Sequence, residues 1–156
     1  MLKRILGFIG VLLLLTACEQ KQSFDTETEL AKLEETRTKF QRLLKEKRYQ
    51  EMRSVMAEGA ETTGPVGEGW LEMRRLGQER GTFAYDSIRM HPKETVIVND
   101  TLAYDYGYSN VYYTNEEGEV VILQDTFIAL IKKEKDGVWR LWREVASGKV
   151  DAVLGE

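Results

Sequence analysis

Apolar side chains recur at helical spacing through the first third of the chain. Leu30, Leu33, Phe40, Leu43 and Leu44 fall three, four and seven residues apart and form one stripe. Thr26-Glu27-Thr28-Glu29 ahead of them has the Ser/Thr-x-x-Glu form of a capping box, which predicts a helix from near Thr26 to near Lys47. Tyr49, Met52, Val55 and Met56 predict a second, shorter helix, with Gly59 where a helix end favours glycine. The glycines and proline of TTGPVGEG, residues 62–69, read as a loop. Trp70, Leu71, Met73 and Leu76 then predict a third helix, stopped by Gly81.

From Thr82 the period changes to two. TFAYDSIRM alternates, His91-Pro92-Lys93 interrupts it, and TVIV resumes ahead of an Asn99-Asp100 turn. In TLAYDYGYSNVYY, residues 101–113, Tyr104, Tyr106, Tyr108 and Tyr112 share one face, while Ala103, Asp105, Gly107, Ser109 and Val111 share the other. If the tyrosines face the helices, their hydroxyls line a cavity; if they face out, they offer a dimer surface. The small residues favour the outward orientation, because Ala103 and Gly107 make room for whatever packs inside. Asn115–Gly118 and Asp136-Gly137 are hairpin signals on either side of VVILQDTFIALIKK, and VWRLWREVAS closes the set. The long strand carries Val121, Leu123, Phe127, Ala129 and Ile131 on one face and Ile122, Ile128 and Leu130 on the other. That predicts a central strand covered on both sides. Three helices followed by an antiparallel meander is an α+β arrangement.

The N-terminus changes the picture of where the domain sits. Lys3 and Arg4 precede an uncharged run from Ile5 to Leu15, followed by the small residues Thr16 and Ala17. This is the pattern of a secretory signal peptide, and the run is short of the roughly 20 apolar residues that span a bilayer. Leu15-Thr16-Ala17-Cys18 resembles the lipobox of bacterial lipoproteins, in which the cysteine is acylated and becomes the first residue. Cys18 is the only cysteine in the chain, so it has no disulfide partner, and lipidation gives it a use. The expected division is a signal segment 1–17, a lipidated cysteine and tether 18–25, a folded domain 26–148 and a tail 149–156. The expected location is extracytoplasmic and membrane-anchored. Glu19 after the cysteine resembles outer-membrane lipoproteins facing the periplasm in a Gram-negative source; in a Gram-positive source the same signal means the outer leaflet of the cytoplasmic membrane.

Charge narrows the partners. Without residues 1–17 the chain keeps 20 basic against 26 acidic side chains, a net of −6. A mildly acidic domain lacks the clustered positive surface that nucleic acid or anionic lipid requires, so the membrane contact expected is the lipid on Cys18 alone. There is no phosphate-binding glycine loop, no cysteine–histidine metal spacing and no nucleophilic serine with histidine in reach, so no metal or other cofactor is expected.

The order and spacing of VNDTLAYDYG, LQDTFIALIKK and DGVWRLWREVAS after three helical segments resemble the SnoaL-like branch of the nuclear-transport-factor-2-like, or ketosteroid-isomerase-like, superfamily over roughly residues 27–147. The resemblance implies a cystatin-like roll: a curved antiparallel sheet wrapped around three N-terminal helices, with a cone-shaped cavity. It also implies three chemistries to test. An isomerase site would use Asp86 or Asp105 as base and Tyr85 or Tyr106 as donor, but the isomerase's helix-one tyrosine has no counterpart among Leu30, Leu33 and Phe40. A dehydratase site would need a histidine beside an aspartate, and the only histidine, His91, reads as a solvent-facing turn residue. An epoxide-hydrolase-like site would gather Asp105, Asp125 and Arg143, although a structural Asp125–Arg143 ion pair explains the same residues. Tyr85, Tyr106, Trp139 and Trp142 are the ligand-contact candidates. The leading expectation is a cavity that binds a small, partly apolar molecule without turning it over. The alternatives are a dimeric structural or assembly lipoprotein and a cavity enzyme of isomerase or hydrolase type using Asp105 and Asp125.

Overall fold

The structure is a computed structural model that describes residues 25–148; the expected signal segment, Cys18, the rest of the tether and the tail from 149 lie outside the described residues. The order is α1 (Thr26–Lys45), a 3₁₀ turn (Tyr49–Ser54), β1 (Met56–Thr63), α2 (Glu68–Arg80), β2 (Ser87–Ile97), β3 (Leu102–Thr114), β4 (Val120–Lys133) and β5 (Trp139–Gly148). The strands form one curved sheet in the order β1-β5-β4-β3-β2, antiparallel except for the β1–β5 pair.

Helix α1 starts one residue earlier than its capping box predicts. The carboxylate of Asp25 accepts from the Glu27 N–H at 3.2 Å and from the Thr28 hydroxyl, so Asp25 is the cap. Glu29 is thereby released from the cap. It turns inward, is 7% exposed, and accepts from the Trp139 indole N–H at 2.7 Å. Lys32 and Lys133 each approach it at 2.8 Å. Trp139 is fully buried against Leu33, Ala103 and Ile131, which ties the start of α1 to the middle of the sheet.

The second helix forms for one 3₁₀ stretch only. Met52 and Val55 sink into a cluster with Leu43 and Leu44, and the chain then extends and pairs with β5. Gly59, at φ 66°, sits inside the irregular part of β1 and caps nothing. The third helix is α2, closed by Gly81 in the left-handed conformation, with Trp70, Met73 and Leu76 buried and Leu71 exposed.

Strand β2 runs straight through His91-Pro92-Lys93. Pro92 pairs with Gly107 and Glu94 with Tyr106, so Lys93 is the extra residue of a bulge. Proline is tolerated because β2 is an edge strand with no neighbour to receive its missing N–H. His91 is therefore a strand residue, not a turn residue. Its ring stacks on Tyr108 at 4.6 Å, and its buried Nε2 has no partner among the described residues.

Both helices cover the same face of the sheet. On β3 that inner face carries Ala103, Asp105, Gly107, Ser109, Val111 and Tyr113, all buried, and the tyrosine ladder points outward. Strand β4 is central, as its apolar run predicts, but covered on one side: Phe127, Ala129 and Ile131 are buried, while Ile122 and Ile128 are 59% and 48% exposed. No helix among the described residues is long and apolar enough to cross a membrane.

Candidate functional site

Apart from a wider, more open groove of about 870 Å³ between α1 and the start of β2, the helices stand off the inner face of the sheet far enough to leave two chambers. The larger, about 270 Å³, opens between α2, the Phe83–Tyr85 segment and the ends of β4 and β5. Trp70, Met73, Phe83, Ile88 and Val111 make its apolar wall, and Thr62, Arg74, Tyr85, Asp125 and Glu144 supply the polar groups. The smaller, about 50 Å³, lies under α1 between Leu33, Phe40, Val55 and Leu141. Glu144 is on the wall of both.

Glu144 enters the cavity because β5 is bulged. Leu141 pairs with Ile131 and Arg143 with Leu130, leaving Trp142 as the extra residue. An inserted residue moves every later side chain to the other face. Trp139 and Leu141 point inward before the bulge; Glu144 and Ala146 point inward after it. Plain alternation would have sent Arg143 inside.

The expected Asp125–Arg143 pair is consequently absent. Arg143 lies on the outer side, where its guanidinium covers the Trp142 ring at 4.7 Å and Nη1 donates to the Gly59 carbonyl at 2.8 Å. Asp125 is 5% exposed, and its Oδ1 accepts the Ser109 N–H at 3.0 Å. Burial pushes its carboxyl above the usual carboxylate range, with the Ser109 contacts pulling the other way.

Asp105 is buried on the neighbouring strand but already committed. Arg37 from α1 reaches its Oδ2 with Nη2 at 2.7 Å and Nε at 3.2 Å, and Thr95 donates to Oδ1 at 2.7 Å. Glu34 also contacts Arg37. A buried guanidinium held on its partner in this way is costly to disturb, so Asp105 serves to pin α1 to β2 and β3. It does not meet Asp125 and Arg143 in one constellation. Asp86 sits at the sheet rim, accepting from the Thr114 hydroxyl at 2.8 Å. Tyr106 is 40% exposed on the outer face, Trp142 lies beside Arg143 there, and Trp139 is a core post. Of the residues singled out in the sequence, the larger chamber gathers Tyr85 and Asp125, and Asp105 lines the smaller one.

Glu144 was not singled out, and it is the most perturbed carboxyl in the cavity. Burial, then the negative charge of Asp125, pushes it to about 7. The same burial, with Glu144 and Asp125 nearby, pushes the Tyr85 phenol upward. Neither Tyr85 nor Glu144 has a hydrogen-bond or ion-pair partner among the described residues. A carboxyl poised near neutrality can hold a cation, donate to an acceptor or exchange a proton. Among the described residues, no three acidic, histidine or cysteine side chains converge to hold a metal ion. Arg37 and Glu29 were also missed. They occupy helical spacings on the apolar stripe of α1 with Leu33, and a charge at such a position is a readable sign of a buried partner.

No family model and no curated protein matches this sequence. Solved structures do match. A ketosteroid isomerase-like protein from Erwinia carotovora atroseptica is 17% identical, with 78% of this chain and 97% of that one covered at a TM-score of 0.59. A nuclear transport factor 2-like superfamily protein from Salmonella enterica is 14% identical over 85% of this chain and 99% of its own, at 0.62. A similar protein with a cystatin-like fold from Novosphingobium aromaticivorans is 12% identical over 82% and 86%, at 0.58. With the helix-lined curved sheet and its cavity, these likenesses identify the architecture of this chain as the nuclear-transport-factor-2-like, cystatin-like fold.

Proposed function

We propose that the domain binds a small, partly apolar molecule in the larger chamber, without turning it over, and that a lipid on Cys18 holds it at a membrane surface outside the cytoplasm. The observation that carries the binding half is the chamber itself. About 270 Å³ of space is lined by apolar and aromatic side chains, with five polar side chains among them. Small-molecule sites have this composition, a greasy wall with a few placed polar atoms. The anchoring half rests on the Leu15–Cys18 pattern behind a basic flank and an apolar run. Binding is favoured over catalysis because the carboxylate of Asp105 is occupied by Arg37 and Thr95. That leaves no second free acid–base group opposite Glu144 except its own neighbours Asp125 and Tyr85.

Native mass spectrometry of the full chain, purified from its own membrane, is the direct test. The expected result is a lipid-modified chain carrying a small ligand that is lost when Val111→Trp fills the chamber. An unmodified Cys18 would remove the anchor, and a chain with no ligand and no uptake from a panel of apolar compounds would remove the binding role.

A second reading is favoured by the outer face of the sheet. Tyr106, Ile128 and Val145 stand side by side across three strands, and each is at least 40% exposed. Such a row fits association with a second copy of the chain.

A further inference from the structure

The polar end of the chamber is unbalanced in charge. Asp125 and Glu144 both line it, on adjacent strands, and neither has an ion-pair partner among the described residues. The cations nearby pair with neither acid. Arg74, on the same wall, donates Nη1 to the Pro65 carbonyl at 2.8 Å. Arg37, on the wall of the smaller chamber, is held by Asp105 and Glu34. Arg143 points away from the chamber, over Trp142. Half-buried Tyr85 lines the same site, its hydroxyl has no hydrogen-bond partner among the described residues, and the rings of Phe83 and Tyr85 meet edge to face at 4.9 Å beside it. Buried carboxylates without a countercharge are costly, and aromatic faces attract cations.

We propose that the chamber selects a small organic amine, with its protonated nitrogen held by Glu144 and Asp125 and its apolar body against Phe83, Tyr85, Trp70 and Met73. This rests on the binding reading above and specifies its ligand class. The nitrogen supplies the missing positive charge and donors for the two carboxylates, and the phenol of Tyr85 adds a hydrogen bond. A neutral molecule of the same shape fills the same space but leaves two acids repelling each other.

The test compares 2-phenylethylamine with 2-phenylethanol, equal in shape and different in charge, by titration calorimetry on the full chain. At pH 8 the amine is expected to bind at least about tenfold more tightly, the factor one charge-assisted hydrogen bond supplies. The preference is expected to shrink toward pH 5 as Glu144, pushed to about 7, takes up its proton. Tyr85, Arg74, Arg37 and Asp105 are the other titratable or charged groups on the chamber walls. Glu144→Gln should reduce the preference to less than about threefold, since only the charge is removed. Asp125→Asn carries the same test should Glu144→Gln fail to fold. Alcohol binding as tight as amine binding overturns the amine inference and leaves the binding role standing, as does a preference unchanged in both variants. Failure of both probes to bind overturns the two together.

Discussion

Glu144 and Glu29 are both glutamates on the inner side of the fold, and their surroundings push them in opposite directions. For Glu29, burial raises the carboxyl, but the bonds from Lys133, Lys32 and Trp139 outweigh it and hold it at about 2. Glu144 has no such donors, so burial and Asp125 carry it to about 7. The folded pKa of Glu144 is above its ordinary value of 4.5, so the folded chain holds the proton that the unfolded chain has released. Its contribution is full below that ordinary value and is lost as pH rises to about 7. Glu144→Gln is therefore expected to stabilise the ligand-free protein at pH 8, by on the order of 1–3 kcal/mol, and to do little at pH 4. Thermal melts of both proteins at the two values check this. Equal melting temperatures at pH 8 would mean that the side chain is solvated in the folded state. Glu29 has the opposite sign: its stabilisation is present above 4.5 and lost as pH falls toward about 2. A half-buried acid that weakens the empty protein and is relieved by a bound cation fits a group kept for binding.

The elements were largely readable, and the failures have local causes. The amphipathic stripe of α1, the glycine stop of α2 and both hairpin turns follow from side chains within a few residues of each other. Residues 49–56 were read as a helix because their apolar spacing suits either a helix or a buried strand edge, and pairing of Met56 with Leu141 decided it. Of the two bulges, the one at Lys93 falls on the His91-Pro92-Lys93 interruption, while the one at Trp142 leaves no local sign. At the first of them, Gly107 is the residue the geometry demands. A Cβ there would meet the Pro92 Cα at 2.7 Å and, closer still, the His91 carbonyl oxygen. Both are backbone atoms, so no rotamer change relieves the clash. Gly107→Ala is expected to cost about 2–3 kcal/mol in urea denaturation, in the range of overpacked cores. Gly64→Ala is the control. Its nearest neighbour is the end of the Arg74 side chain at 3.7 Å, an ordinary contact, so the change should fall within about 0.5 kcal/mol. Similar losses for the two would show that the bulge does not constrain position 107.

At the scale of the whole molecule, one face of the sheet is packed and the other is open. The row Glu94–Tyr106–Ile128–Val145–Thr63 runs across all five strands in register, with apolar side chains at its centre. Ile128→Lys places a charge there without touching the core. It is expected to leave folding unchanged within about 0.5 kcal/mol. In the second reading it converts a dimer to a monomer in light scattering. A wild-type chain that stays monomeric at every concentration would remove that reading.

The sequence by itself determined the class of fold, the central place of the 120–133 strand and the sorting of residues 101–113 into a small-residue face and a tyrosine face. These follow from side-chain period and size, which neighbouring residues set. Which way that sorted strand faces is favoured but left open by the sequence, since Ala103 and Gly107 leave room where helices must pack, and the folded sheet turns the tyrosines outward. Only the tertiary structure decided what lines the cavity. One residue, Trp142, inserted into the β5 ladder exchanges Arg143 for Glu144, and the partner strand fixes where that insertion falls. Alternation remains a true guide up to a bulge and is inverted beyond it, so the sequence placed a cation where the folded chain presents an acid.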